Sequence, residues 1–345
     1  MNVCFIMYPW HEIIPETDST LRLIHECMVR GHTVALTTTH NLTMRDTVAS
    51  AFCKIFKKTD SIPSKIMSFY KKAEFKKVGL PLSGFDVIMM RAEPPLDVLA
   101  LNFLDSVQNE VFFINDIDGL RIANNKLYTA AFDDPDHKFI PITHVSKNQE
   151  YLEDVLNDSK ADKMIMKPLE GYGGKGVILI EKHARHNFRS LLDYYITNRQ
   201  GGSYVILQEY VEGADKGDIR ILILNGEPIG AMRRIPQPGD VRSNVHAGGK
   251  AIKHCLTRQE RDLCRHIGPK LVRDGLFFVG IDVINGKLIE VNVLSPGGIV
   301  RINKFNRVKL QKKVIDFMEN VIRVKESISI RKSEFRKAIE DAHSI

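Results

Sequence analysis

A lysine followed by a cluster of glycines is the first stretch of this sequence suited to chemistry. Residues 164–180 read MIMKPLEGYGGKGVILI, so Lys167 precedes four glycines that lie between Gly171 and Gly176. Glycine lets backbone N–H groups approach an anion closely and lets a loop close over it. The pattern matches G-x-G-x-x-G, but the β-branched run from Val177 predicts a strand where a dinucleotide fold needs a helix. A lid over nucleotide phosphates is therefore favoured over a dinucleotide site, a P-loop or a plain hairpin turn.

Two carboxylates and an amide form the second stretch. Glu290 and Asn292 are two residues apart on a predicted strand, so their side chains share one face. The dipeptide Asn285-Gly286 predicts a hairpin that brings Asp282 onto the partner strand. Oxygen ligands without His or Cys suit Mg²⁺, with Mn²⁺ as an alternative. A solvent-facing acidic strand is the other interpretation, but carboxylates among apolar strands need a partner.

Polar residues between these stretches offer weaker indications. The strand that ends in Gln208, Glu209, Tyr210 and Val211 could read an adenine edge, although an ordinary strand end explains it equally well. Arg233, Arg234 and the segment 242–249, RSNVHAGG, cluster guanidinium groups with a glycine pair. Such groups bind phosphates or substrate carboxylates, or form structural salt bridges.

The elements that must position these residues differ between the two halves of the chain. Up to about residue 120, short apolar runs alternate with helical patterns, which predicts an open parallel α/β lobe. Residues 42–84 are rich in lysine and are interpreted as a mobile or loosely packed insertion. From Phe139 onward, paired strand candidates and turns such as Asn225-Gly226 predict an α+β region with antiparallel pairing. Residues 308–325 predict an amphipathic helix, and a charged helix over 331–343 follows.

Composition limits the classes of function. The chain has 345 residues and a formal charge of +7, and the excess of positive charge lies in residues 54–77 and 301–345. No nucleic-acid-binding motif accompanies this charge, so neither a nucleic acid nor a membrane is an expected partner. No apolar run is long enough to span a bilayer, and the N-terminus lacks the basic region of a signal peptide. Five cysteines without a Cys-x-x-Cys pair indicate reduced thiols, so we expect a cytoplasmic protein.

Taken in order along the chain, these motifs resemble those of the bacterial glutathione synthetases. The resemblance covers about residues 1–325 and rests on the following segments: 89–97 (MMRAEPPLD), 125–127 (NKL), 167–174 (KPLEGYGG), 218–220 (DIR), 242–244 (RSN), and Asp282 with 290–296 (EVNVLSP). It implies an ATP-grasp fold, α/β and α+β, with an N-terminal open parallel α/β (pre-ATP-grasp) lobe. The implied domains are 1–122 with the insertion 42–84, a small lobe 123–200 with the lid 169–176, a large lobe 201–325, and a basic helical tail 326–345.

The resemblance also implies roles for individual residues. The residues expected to hold ATP are Lys126, Lys167, Glu170, Gly171, Gly173 and Gly174 at the phosphates, Gln208, Glu209, Tyr210 and Val211 at the adenine, and Asp218 at the ribose. Asp282, Glu290 and Asn292 would bind Mg²⁺. Arg220, Arg234 and Arg242 would act as catalytic stabilisers of charge. The residues expected to hold the peptide substrate are Asp18, Ser19, Arg91, Asn244, Gly248, Gly249, Ser295, Pro296, Gly297 and Gly298.

The implied activity joins γ-glutamylcysteine to glycine with ATP, through an acylphosphate, in a homo-oligomer (a dimer or tetramer). Two departures affect the substrate. Residues 294–302 read LSPGGIVRI where the family has Thr-Ser-Pro-Thr-x-Ile-Arg-Glu, and 115–117 read NDI where it has Asn-Lys-Pro. A sister ATP-grasp ligase with another acyl donor or amine is therefore the alternative, and a non-catalytic nucleotide-binding scaffold is a third hypothesis.

Overall fold

The protein is described by a computed structural model, which covers residues 1–57, 59, 61–169, 176–181, 187–197, 203–237 and 249–342. The strands within it are β1 Asn2–Met7, β2 Thr33–Thr37, β3 Leu42–Arg45, β4 Val48–Phe56, β5 Phe75–Pro81, β6 Val87–Arg91, β7 Phe112–Ile114, β8 Thr143–Ser146, β9 Lys163–Pro168, β10 Ile178–Glu181, β11 Val205–Glu209, β12 Asp218–Leu224, β13 Glu227–Ile235, β14 Lys250–Lys253, β15 Phe278–Ile284 and β16 Lys287–Asn292. The helices are α1 Ser19–Val29, α2 Ile66–Lys72, α3 Val98–Asp105, α4 Ile117–Ala123, α5 Leu127–Ala130, α6 Gln149–Asp158, α7 Phe188–Thr197, α8 Arg258–Arg273, α9 Ile299–Asn306 and α10 Leu310–Ala342. None of the helices in these ranges combines the length and the apolar character needed to cross a bilayer.

The first of two compact units comprises residues 1–91, 99–114 and 309–345. Its sheet has the order β3-β4-β2-β1-β6-β7, with β5 added beside β4. Strands β2, β1, β6 and β7 are parallel, as the alternating pattern predicts. Helix α1 begins where the Asp18 carboxylate accepts a hydrogen bond from the Leu21 amide, and Gly31 follows its end with φ +80°.

Residues 42–84 do not form the loosely packed insertion that the sequence suggested. They supply β3, β4 and β5, and β4 pairs antiparallel with β2, β3 and β5. The long helix α10 also belongs to this unit. Arg30, at the end of α1, forms ion pairs with Asp316 at 2.7 Å and Glu319 at 2.8 Å, both of which are on α10. The predicted boundary at residue 325 therefore differs from the structure, in which one continuous helix runs from 310 to 342.

The second unit comprises residues 92–98 and 115–308 and contains two antiparallel sheets. The smaller sheet has the order β10-β9-β11-β8, and the larger has the order β14-β13-β12-β15-β16. Leu152 of α6 and Leu192 of α7 are fully buried against Met166 of β9, which closes a core on the small sheet. The hairpins predicted at Asn225-Gly226 and Asn285-Gly286 are present, and all four residues have positive φ.

Candidate active site

A buried lysine stands at the end of β9 on the small sheet. Lys167 is 6% exposed, and its Nζ donates to Gln208 Oε1 at 3.0 Å. The Gln208 amide in turn donates to Thr143 Oγ1 at 2.7 Å, so β11 and β8 fix the direction of the ammonium group. Gln208 was expected at the adenine, whereas here its side chain positions Lys167.

The pKa of Lys167 is shifted from its ordinary value. Burial lowers its pKa from 10.5 to about 8, against the opposing attraction of Glu290 and with added repulsion from Lys126. An ammonium without full hydration interacts strongly with an anion that replaces its lost water. The lowered pKa of Lys167 is therefore consistent with an ammonium group that binds an anion such as a phosphate.

The β15–β16 hairpin aligns the two predicted carboxylates. Asp282 lies directly opposite Glu290, and Gly280 lies opposite Asn292. The Asn292 Nδ2 group donates to Asp282 Oδ2 at 3.3 Å, which identifies Oδ1 as the remaining acceptor of that amide. The hairpin thus brings together the three residues that the sequence grouped.

Two arginines of the large sheet hold Asp282. Arg220 forms a bidentate pair with this carboxylate, from Nε at 2.5 Å and Nη2 at 3.0 Å, and Arg234 approaches it at 2.9 Å. Arg234 also forms a bidentate pair with Asp218, with both distances 2.6 Å. Although burial opposes ionisation, Arg220 and Arg234 hold the pKa of Asp282 at about 2. Asp218 is therefore engaged by an arginine rather than standing open for a ribose.

Glu290 has the opposite electrostatic environment. Burial and then the charge of Asp282 raise its pKa, while Lys126, Lys167 and Arg220 act to lower it. Within the described part of the chain, the Glu290 carboxylate makes no direct hydrogen bond or ion pair. Glu290 is half-buried. Because a carboxylate that has lost part of its hydration gains from a compensating charge, Glu290 is suited to bind a cation.

The fit of a magnesium ion follows from this set of donors. Glu290 supplies an uncompensated carboxylate and Asn292 an amide oxygen, and both are hard ligands. Asp282 is less available, because its oxygens already accept bonds from arginines and an amide. In the described ranges, no three residues of the types His, Cys, Asp and Glu form a metal-binding group. The site therefore fits an ion that takes its other ligands from water and phosphate rather than a protein cage.

Three residues to which the sequence analysis gave no role shape this site. A Cβ at Gly217, which has φ +93°, would lie 1.9 Å from the carbonyl oxygen of Arg234. A Cβ at Gly280 would lie 3.1 Å from Pro296 and 3.3 Å from Arg220. Asn115 is 2% exposed and bonds the backbone of Phe278 in both directions. The sequence offered one signal for the two glycines: Gly217 lies one residue before Asp218, and Gly280 lies two residues before Asp282.

The strand end expected at the adenine is partly engaged within the protein. The Glu209 side chain accepts from Lys287 Nζ at 2.7 Å, and the Glu209 amide donates to Ile142 at 2.9 Å. The Tyr210 amide donates to Lys163 at 3.4 Å. Among the residues described, the Val211 amide has no acceptor, so it is the donor available to a ligand.

The loop 295–298 lies against Arg220. Pro296 and Gly298 are buried, and Gly298 has φ +129° at the start of α9. A Cβ at Gly298 would meet Met232 at 3.3 Å, whereas one at Gly297 would meet nothing within 4 Å. Ser295 and Gly297 are half-buried, so this loop offers partly accessible groups near Arg220.

The residues expected at the peptide substrate in the first unit have structural partners. Asp18 caps α1 and also accepts a hydrogen bond from the Tyr8 hydroxyl. Ser19 is buried, and Arg91 is 1% exposed and donates to Thr20 at 2.9 Å.

Several other expected residues lie outside the described ranges: Glu170, Gly171, Gly173, Gly174, Arg242, Asn244 and Gly248. Gly249 is described and is buried.

Two models of one protein family match consecutive parts of this chain. Residues 1–121 match the N-terminal domain of prokaryotic glutathione synthetase, and residues 125–307 match its ATP-grasp domain. A glutathione synthetase of Gloeobacter violaceus is 35% identical over 328 residues, which is 92% of this chain and 96% of the relative. A glutathione synthetase of Nostoc sp. is 33% identical over 334 residues, which is 94% of this chain and 99% of the relative.

Solved structures share the fold at lower identity. D-cycloserine synthetase DcsG has a TM-score of 0.62 at 16% identity, over 92% of this chain and 100% of that one. The macrocyclase MdnC of Microcystis aeruginosa, bound with its precursor peptide, has a TM-score of 0.57 at 14% identity, over 93% and 100%. These similarities establish the ATP-grasp fold.

Proposed function

Because this chain belongs to the prokaryotic glutathione synthetase family and is an ATP-dependent ligase, we propose that it joins γ-glutamylcysteine to glycine. A carboxylate oxygen of the donor attacks the γ-phosphorus of ATP, and ADP leaves. The amine of glycine then attacks the acyl carbon, and phosphate leaves as the amide bond forms. The single observation that carries this proposal is the pairing of Asp282 with Glu290 across β15 and β16, next to the Arg220 guanidinium that Asp282 holds.

Lys126 and Lys167 would hold the triphosphate. The Lys126 amide donates to the carbonyl oxygen of Leu169 at 3.2 Å, which places it beside the end of β9 that carries Lys167, and both ammonium groups act electrostatically on Glu290. The Lys167 ammonium is preorganised by Gln208, which removes much of the entropy that binding would otherwise lose. The free Val211 amide would donate to the adenine ring, and the segment 170–174 would close over the phosphates.

Glu290 and Asn292 would hold Mg²⁺, with Asp282 as a third ligand or as an acceptor for the arginines. When bound there, the ion neutralises charge on the transferring phosphoryl group. The residues of the chain then do the rest: the ammonium groups orient the phosphates, and Arg220 stabilises the oxyanion that forms at the acyl carbon. Arg234 acts through Asp218 and Asp282 and is proposed as a positioning residue. Arg242 remains proposed as a further stabiliser.

Arg220 is suited to this role because its charge is fixed and its direction is set. Its guanidinium is 8% exposed and is held by two hydrogen bonds to Asp282. A preorganised donor does not have to reorient as charge develops, which is the main source of electrostatic catalysis. The adjoining loop, Ser295 to Gly298, would contact the acyl donor or the amine. Asp18, Ser19, Arg91, Asn244, Gly248 and Gly249 are proposed to complete the peptide site.

A sister ligase with another donor or amine is the second candidate. The observation that favours it is the loop 294–302, in which Gly297 stands where the family has a threonine. A Cβ at Gly297 would meet nothing within 4 Å, so the absent threonine side chain leaves open space in the loop that lies against Arg220. We further propose that the enzyme works in the cytoplasm as a homo-oligomer; its free cysteines, Cys255 exposed among them, support a reducing compartment.

A substrate panel tests the proposal. Purified protein is mixed with ATP, Mg²⁺ and γ-glutamylcysteine, and ADP release is followed as glycine or another amine is added. Turnover with glycine far above that with other amines supports glutathione synthesis. Release only with other donors or amines identifies the sister ligase. Nucleotide binding without release under any pair supports a scaffold and contradicts the proposal.

A further inference from the structure

A second cavity lies wholly within the first unit, at the carboxyl ends of β1 and β2. It has a volume of about 550 Å³, which is in the range of small-molecule sites. Its wall combines the loop after β1, the end of β2 and part of the β4–β5 pair, and it includes Trp10, His11, Thr38, Phe52, Lys54 and Lys77. None of the residues proposed for the ligase reaction lines it, although Tyr8 of its wall donates a hydrogen bond to Asp18 of the proposed peptide site.

The charged groups on this wall are all basic. Lys54, Lys77 and His11 line the cavity, and no aspartate or glutamate does so among the described residues around it. Further along the same strand pair, Lys57 has a carboxylate partner, Glu74, at 2.9 Å. Within the described part of the chain, neither Lys54 nor Lys77 has such a partner. The cavity therefore has an unbalanced positive potential.

Lys54 and Lys77 are direct cross-strand partners in the β4–β5 register. Like charges placed opposite each other destabilise a sheet, by an amount comparable to the gain from opposite charges. Lysines on an edge strand protect against aggregation, and that explains Lys76 and Lys77 of β5. It does not explain Lys54, because β4 pairs on both sides and Lys54 is half-buried. The Lys54 ammonium lies 6.0 Å from the centre of the Phe75 ring, a contact that supplies no negative charge. An anion between the two ammonium groups would relieve this repulsion.

Flat apolar surface accompanies the charge. Trp10 is fixed by stacking on Tyr70 at 5.1 Å and by an edge contact with Phe75 at 5.1 Å. Phe52 is 63% exposed on the wall opposite Gly79, where no side chain covers it. An aromatic residue left open to solvent beside a cavity is a surface on which a planar ring can stack.

We propose that this cavity is a second ligand site for a small organic anion that carries a planar ring, such as an aromatic carboxylate, sulfonate or phosphate. The anionic group lies between Lys54 and Lys77, and the ring lies against Trp10 and Phe52. The Thr38 hydroxyl, which accepts from Asn41 at 2.9 Å, has its own hydrogen available for the anion. This site does not depend on the ligase reaction.

The single tryptophan of the chain makes the test local. Trp10 is the only source of an indole N–H signal, so its NMR resonance reports on this cavity alone. The probes are naphthalene-2-sulfonate, the neutral naphthalene-2-methanol and inorganic phosphate. We expect saturable shifts with the sulfonate, and apparent affinities weaker by about fivefold or more with the neutral ring and with phosphate alone.

Matched variants assign the charge. Lys54→Met or Lys77→Met should each weaken sulfonate binding by about fivefold, while Lys76→Met, on the other face of the same strand, should leave it unchanged. The thermal midpoint of Lys77→Met should equal or exceed that of the wild type, because a like-charge pair is removed. This readout also shows that the variant is folded.

Three results would overturn the proposal. The first is the absence of a saturable shift with the sulfonate, and the second is an equal loss of affinity in all three lysine variants. The third is a lysine-dependent shift with γ-glutamylcysteine and none with the sulfonate, which would make the cavity part of the donor site. None of these readouts depends on turnover, so failure here and failure of the ligase proposal are distinguishable.

Discussion

The affinity for nucleotide should fall as the pH rises through about 8, because Lys167 loses its proton there. Burial lowers the pKa of this lysine from 10.5 to about 8, a shift that corresponds to about 3 kcal/mol against the charged form. Below pH 8 the ammonium is present and can bind a phosphate. Above it, the group is neutral and must first take up a proton.

The magnitude follows from the fraction protonated. Between pH 7 and pH 9 the charged fraction of a group with a pKa of about 8 drops about tenfold, so the affinity for ADP should weaken about tenfold. Folding stability has the opposite slope. The unfolded chain binds the proton up to about pH 10, so the contribution of Lys167 to the free energy of unfolding rises with pH between about 8 and 10.

Calorimetric titration of ADP with Mg²⁺ over this pH range is the assay, and Lys167→Arg is the matched control. Arginine keeps its charge at every pH used, so the variant should bind with little pH dependence. Lys167→Met should bind weakly throughout. A wild-type affinity that is flat across the range, or a Lys167→Arg profile that falls in parallel with it, would refute the assignment of this lysine to the phosphates.

Three further predictions concern residues around the same site. Glu290→Gln should lower turnover at least about a hundredfold and remove the response of turnover to Mg²⁺. The thermal midpoint should not fall, because the substitution neutralises a carboxylate whose pKa burial already raises. Turnover equal to that of the wild type would contradict the metal role. Gly217→Ala should lower the free energy of unfolding by about 3 kcal/mol or more in denaturant titrations, because its Cβ would lie 1.9 Å from a backbone oxygen. Gly213→Ala, at a position with similar φ but open space, should lower it by only about 1 kcal/mol. Equal losses of stability would contradict the steric argument. Gln208→Leu should move the pH midpoint of ADP binding below that of the wild type, because Lys167 loses its acceptor; an unchanged midpoint would show that this hydrogen bond has no effect on the ammonium.

Local sequence signals were sufficient where the structure depends on neighbours in the chain. The Asn285-Gly286 turn predicted the hairpin, and it sets the pairs next to the turn, Ile284 with Lys287 and Val283 with Leu288. That register alone would place Asp282 opposite Ile289. A bulge between Asp282 and Val283 shifts it by one residue and places Asp282 opposite Glu290, and no local signal predicted this shift. The glycine run after Lys167 predicted strands on both sides, and β9 and β10 are paired as expected. The ATP-grasp fold and the family were likewise predicted and are confirmed.

Features that depend on distant partners were not predictable. Strand β5, FKKVGLP, is an edge strand with lysines on both faces, so its composition resembles a loop. The apolar face of α10 indicated that the helix packs, but not that its partner would be α1. Charge alone also could not show that Arg234 pairs with Asp218 from the adjacent strand, and this pair is the basis for proposing a positioning role for Arg234.

The measurement that tests the ligase chemistry most directly follows heavy oxygen from the donor carboxylate. γ-Glutamylcysteine labelled with heavy oxygen in its glycine-accepting carboxylate is incubated with ATP, Mg²⁺ and glycine, and the released phosphate is analysed by mass spectrometry. If the carboxylate attacks the γ-phosphorus, each phosphate should carry one labelled oxygen, in step with the amide formed. Phosphate that is released without label would contradict an acylphosphate and with it the proposed mechanism.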